Sequence, residues 1–186
     1  MFKIIAVLVI VLLVGVLIYA ATRPDIFRVQ RSTSIKAPAE TIYGLINDLH
    51  RWGAWSPWEK KDPSMKRSHT GAANGKGAVY EWEGNKDVGQ GRMEIATSSP
   101  PSEITIKLDF VKPFEAHNIV EFTLKPEGDS TNVTWSMQGD LPYFAKVIHL
   151  FLDMDKMVGT DFEVGLAAMK TVAEQPALRA PTSGAP

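Results

Sequence analysis

The chain has 186 residues, with 20 Lys and Arg set against 21 Asp and Glu, a formal net charge of −1 and no cysteine. Disulfides, thiolate nucleophiles, Cys-ligated zinc and iron–sulfur clusters are therefore excluded. A near-neutral balance also gives no long-range field that would draw nucleic acid, and none is expected as a partner.

The most concentrated apolar segment comes first. From Ile4 to Ala21 the chain runs 18 residues without a charge. As a helix this segment is about 27 Å long, close to the roughly 30 Å hydrocarbon core of a bilayer. Residues 1–22 read as a transmembrane anchor, with residues 4–21 meeting the lipid. A cleaved signal peptide is the alternative. Against it, the apolar run exceeds the usual length, and Ile18-Tyr-Ala20 or Tyr19-Ala-Ala21 lacks a small residue at both required positions. Lys3 precedes the span while Arg23, Arg28, Arg31 and Lys36 follow it, which by charge alone puts the domain in the cytoplasm. Large folded domains translocate largely regardless of charge, and a lysine before an apolar stretch also opens export signals. The expectation adopted is a single-pass cell-membrane protein with its domain on the extracytoplasmic side.

Residues 23–175 are expected to form one domain. Arg28–Lys36 has the β-branched residues and polar alternation of a strand, stopped by Ala37-Pro38. Ala39–Asn47 places Ile42, Leu45 and Ile46 on one helical face. Leu49–Trp58 holds Trp52, Trp55 and Trp58 and reads as a second short helix ending at Ser56-Pro57. From Lys66 to Gln138 a run of antiparallel strands follows. The cleanest alternation sets Ile104, Ile106, Leu108 and Phe110 against Thr105, Lys107 and Asp109. A sheet with one apolar face needs a cover. The segment from Asp140, expected as N-cap, to Gln175 supplies one, with Phe144, Val147, Phe151, Met154, Val158, Phe162, Leu166 and Met169 recurring at steps of three and four. That length suggests a break near Asp153–Asp155. Residues 176–186, rich in Pro, Ala and Gly, read as a disordered tail.

No catalytic constellation stands out. His50, His69, His117 and His149 are scattered, and Asp153, Asp155 and Asp161 lack the glycine and terminal glutamate of a calcium loop. Gly89-Gln-Gly91 is not followed by a helix. His117 with Glu115 reads most simply as a solvated pair at a strand end. No metal, cofactor or catalytic residue is assigned.

The element order, together with Ile35-Lys-Ala-Pro-Ala-Glu-Thr-Ile-Tyr43, Trp52-Gly-Ala-Trp-Ser-Pro-Trp58, Gly89-Gln-Gly91 and Thr160-Asp-Phe-Glu-Val-Gly-Leu166, resembles the START-like (SRPBCC) superfamily. The likeness is to its bacterial polyketide cyclase/dehydrase-like branch and covers roughly residues 27–175. It implies an α+β helix-grip fold, a curved antiparallel sheet wrapped around a long C-terminal helix, here preceded by one transmembrane helix. It also implies an elongated cavity for a hydrophobic small molecule or lipid. Carried onto this sequence, the cavity would be lined by Tyr80, Trp82, Met93, Ile106, Leu108, Phe110, Phe122, Trp135, Met137, Val158, Phe162 and Leu166. Gly159 and Gly165 would thin the helix opposite them, and Gly89 and Gly91 would let a strand bend. Trp52, Trp55 and Trp58 would gate the cavity mouth or face the membrane, the alternative being a plug for the core. The expected activity is ligand binding without chemistry. A cyclase or dehydratase, or a scaffold with a filled core, is the alternative.

Overall fold

The computed structural model describes residues 2–151 and 153–176. The N-terminal helix α1 (Phe2–Ala21) is apolar on every face and stands clear of the sheet, with only Ala20 buried. A buried core helix would be covered, so this helix is long and apolar enough to cross a membrane and has no other packing role along most of its length.

The domain is a seven-stranded, wholly antiparallel sheet in the order β1-β7-β6-β5-β4-β3-β2. Its strands are β1 (Ile26–Ile35), β2 (Lys66–Gly71), β3 (Ala78–Glu83), β4 (Gln90–Ser99), β5 (Glu103–Lys112), β6 (Ala116–Glu127) and β7 (Ser130–Asp140). The period-two pattern of β5 is realised over its first half, where Ile104 and Ile106 are buried and Lys107 is exposed, while Leu108, Asp109 and Phe110 are all half-buried. The β6–β7 hairpin turns through Gly128 and Asp129, with Gly128 at φ +65 in the first central position, as a type II′ turn requires.

Between β1 and β2 lie α2 (Ala39–Asn47), a 3-10 turn over Leu49–Ala54 and α3 (Pro57–Lys61). The expected second helix is thus two pieces. Pro57 opens α3 where a missing N–H costs nothing, so it begins a helix and does not end one.

The segment after β7 differs from a single long cover. Asp140 is not an N-cap: it pairs with Ile26 as the last residue of β7, and Pro142 holds the cap position of α4 (Tyr143–His149). The break falls where it was expected. Asp153 caps α5 (Met154–Ala173) by accepting from the Lys156 amide at 2.9 Å. Of α4 and α5, it is α5 that covers the core, through Phe162, Leu166, Met169 and Ala173. Phe144 and Phe151 leave the expected stripe and are 70% and 74% exposed, because α4 turns away from the sheet and packs on α1. Of the expected tail, residues 177–186 lie outside the described residues.

Candidate functional site

The residues expected to line a cavity converge, and they pack against one another. Phe122, Trp135, Phe162, Leu166 and Ile106 are buried, as are Tyr80, Met93 and Met137, while Trp82, Leu108, Phe110 and Val158 are half-buried. Trp135 stacks on Phe162 with ring centroids 4.1 Å apart and 8° between planes. Trp55 and Trp58 meet Trp135 edge-on at 5.5 and 5.7 Å. Such pairs add about 0.5–1.5 kcal/mol beyond the area they bury. Trp52 and Trp55 are buried, and their indole N–H groups donate to the carbonyls of Ile46 (2.9 Å) and Leu45 (3.0 Å). This is how a core accommodates tryptophan, and it leaves only Trp58 half-exposed at the rim.

The two helix glycines do thin α5, but protein fills both spaces. A Cβ on Gly159 would overlap the Arg31 guanidinium, and one on Gly165 would lie 2.8 Å from the Trp135 ring and 3.1 Å from Pro57 Cδ. Arg31, on β1, passes beneath α5 to bond Asp155 (2.9 Å) and Glu163 (2.7 Å). Those hydrogen bonds raise the arginine above its ordinary value, Asp155 contributing most, and lower Asp155. Gly91 makes the same kind of room for Trp82 beside a register shift at Gln90/Gly91, which is where β4 departs from regular pairing.

Open space lies elsewhere. A pocket of about 490 Å³ sits where the anchor joins the domain. The connector Arg23-Pro24, the start of β1 from Ile26 to Val29, Leu141, the α4 residues Lys146 and His149 with Leu150 and Phe151, and Asp153–Asp155 line it. Apolar side chains of Phe27, Val29, Leu141 and Met154 share it with Arg28, Lys146 and Asp155. Lys146 is buried and donates to the Arg23 carbonyl (2.8 Å) and the Asp25 carboxylate, tying α4 to the connector. Burial lowers the His149 pKa, and its ring is set edge-on to Phe27 at 6.1 Å. A second pocket of about 320 Å³ lies over the outer sheet face at Lys107, Asp109, His117, Ile119 and Gln138.

Sequence reasoning missed a titratable cluster beside the core. The Tyr80 hydroxyl donates to Glu59, which also accepts from Arg67 at 2.8 Å. Burial, reinforced by the bond to Glu59, pushes the phenol well above its ordinary value. His69 packs on Tyr80 and stacks on His50 at 4.1 Å, and burial lowers its pKa. No linear motif marks these groups: His69 meets Tyr80 only through the pairing of β2 with β3. These groups line neither pocket. Among the described residues no three His, Asp or Glu side chains gather as a metal site.

His117 and Glu115 are exposed, and His117 Nδ1 lies 2.7 Å from Asp109, which raises the histidine pKa. NMR titration of His117 should give a midpoint above about 6.5, and Asp109→Asn should return it toward that value. The stabilisation from this pair is present in full below the unfolded histidine's pKa and is lost as pH rises through the folded one. An unchanged midpoint in the variant would remove Asp109 as the cause.

A one-sided antiparallel sheet clasping a C-terminal helix defines a helix-grip domain, the START-like class. The chain belongs to the family described as polyketide cyclase / dehydrase and lipid transport, whose model matches residues 27–174. Solved structures share the fold at low identity. The di-domain ARO/CYC BexL from the BE-7585A biosynthetic pathway is 16% identical with a TM-score of 0.61, over 85% of this chain and 53% of that one. Major latex-like protein 151 from Panax ginseng is 16% identical with a TM-score of 0.59, over 82% and 100%. Protein CV1439 from Chromobacterium violaceum is 14% identical with a TM-score of 0.58, over 82% and 99%. No curated protein sequence matches this chain.

Proposed function

We propose that this protein is a membrane-anchored binding domain for a hydrophobic small molecule or lipid, and that it does no chemistry on it. The observation that carries the reading is the position of the pocket of about 490 Å³, walled by the connector to α1, the start of β1 and both halves of the α4–α5 elbow. A ligand poorly soluble in water is exchanged most readily by a cavity held against the bilayer that stores it. The lining suits an amphipathic molecule, since charged and apolar side chains share one space. Val29 belongs both to the pocket lining and to the buried core, so the pocket abuts the packed interior at β1. Separation of Glu59, Tyr80 and His69 from the pocket favours binding over acid–base catalysis. The family name and the BexL likeness supply the cyclase alternative, which would have to draw on Lys146, His149, Asp153 and Asp155 in the pocket lining. In this reading the domain lies on the extracytoplasmic side, which the basic residues after the span do not forbid, since large folded domains cross regardless of flanking charge.

Native mass spectrometry of the full chain released from detergent micelles tests this. The parent should carry a lipid-sized adduct, and Leu150→Trp, which fills the pocket from its α4 wall, should lose it with an unchanged melting temperature. A parent chain without any adduct, or one whose adduct survives Leu150→Trp, would overturn the reading.

A further inference from the structure

The helix α4 has no role in covering the core, and the most exposed side chains on it and just after it are aromatic. Tyr143 and Phe144 on α4 and Phe151 just past its end are 47%, 70% and 74% exposed, whereas Lys146 is buried and holds α4 to the connector. In water such a face is unfavourable, since each aromatic ring presents on the order of 150–250 Å² of largely apolar surface. What covers it is indicated by what α4 is attached to. The Tyr143 hydroxyl donates to the Leu17 carbonyl at 2.8 Å. Leu17 lies four residues before the end of α1 at Ala21, about 6 Å back along the helix axis. If α1 spans the bilayer, that depth is the boundary between acyl chains and headgroups, and α4 is fixed beside it. The end of α1 there has the composition of an interfacial belt, with Tyr19 exposed and the Arg23 guanidinium 5.1 Å from its ring centre.

We propose that the α4–α5 elbow is a membrane-docking surface, with Tyr143, Phe144 and Phe151 inserted at the headgroup level of the bilayer that holds α1. The inference rests on the membrane-anchor reading and goes beyond it. The domain does not swing on a free tether but is seated on the lipid, with Phe151 serving both as docking residue and as pocket wall. The connection is tight on the protein side as well. Leu141 N donates to the Asp25 carbonyl at 2.7 Å, and Lys146 bonds the same connector, so α1, β1 and α4 leave little slack. The function this serves is transfer: a ligand could pass between lipid and pocket without crossing water.

The chain has no cysteine, so a single introduced cysteine is a unique attachment point for an environment-sensitive fluorophore. Full-length Phe144→Cys and Phe151→Cys, each labelled and reconstituted in phosphatidylcholine vesicles, are compared with Leu8→Cys in mid-span and Glu127→Cys at the far hairpin. Glu127, the last residue of β6, pairs with Ser130 at the end of β7 away from α4, roughly 33 Å off by strand rise. The labels at 144 and 151 should shift to the blue and lose intensity several-fold when spin-labelled phosphatidylcholine is included, while remaining shielded from iodide. The label at 127 should behave in the opposite way. Quenching by lipid at position 8 with free access of iodide at 144 and 151 would overturn the docking proposal and leave the anchor standing. Free access of iodide at position 8 would overturn the anchor reading itself, and the docking proposal with it. Labels at 144 and 151 shielded from both quenchers would mean that protein, such as a second copy of this chain, covers the face, and would also overturn the proposal.

Discussion

Phe162→Ala should lower the unfolding free energy of the domain by about 3–5 kcal/mol, measured by chemical denaturation of the full chain in detergent. Phe162 is 1% exposed, stacks on Trp135 at 4.1 Å and meets Trp58 edge-on at 6.3 Å. Truncation removes the transfer energy of the ring and leaves a void that its neighbours cannot close. Trp135 is itself wedged by Trp55 and Phe122, so it cannot slide into the gap. Lys107→Ala on the solvent side of β5 should stay within about 0.5 kcal/mol. Equal losses at the two positions would mean that the stack is not the centre of the core.

Much of this architecture was legible because it follows from periodicity. The alternation of Ile104, Ile106 and Leu108 and the helical spacing of Phe162, Leu166 and Met169 each specify a buried face without knowledge of partners. The same arithmetic misled where the stripe was continued through Phe144 and Phe151. Periodicity reports that a face is apolar, not what covers it. A protein core and a lipid headgroup region ask for similar side chains, so the α4 stripe could not be distinguished from the α5 stripe in the sequence. Asp140 failed as a cap for a related reason. It has a capping side chain, but the pairing of Ile26 with Asp140 keeps it in a strand, a long-range contact that local propensity does not record.

The pocket was less legible than the fold. Its walls come from the connector, the first residues of β1, α4 and the start of α5. None of these segments shows a motif, and their proximity depends on Lys146 reaching back over more than a hundred residues to Asp25. The helix glycines show the same limit of local sequence. A missing side chain tells where a neighbour comes close, and the neighbour can be ligand, solvent or protein. Here it is Arg31 at one position and Trp135 at the other.

That distinction sets the last expectation, at Gly165. Gly165→Ala should destabilise the domain by about 1–3 kcal/mol, even though alanine favours a helix over glycine by about 1 kcal/mol. The new methyl would lie 2.8 Å from a carbon of Trp135 and 3.1 Å from Pro57 Cδ. Neither obstacle yields cheaply: the indole is stacked on Phe162, and the proline ring is fixed at the start of α3. Gly159→Ala meets a different obstacle, the far end of the Arg31 side chain, which can swing toward solvent at the cost of its bonds to Asp155 and Glu163. Those partners are each about 60% exposed, so screening keeps the ion-pair loss small. The helix-propensity gain then offsets most of it, and the expected change is within about 1 kcal/mol. Thermal unfolding of the two variants side by side should therefore show a clear loss for Gly165→Ala and a small change for Gly159→Ala. A neutral Gly165→Ala would mean that the space behind α5 is open after all, and would return the ligand cavity to the centre of the helix grip.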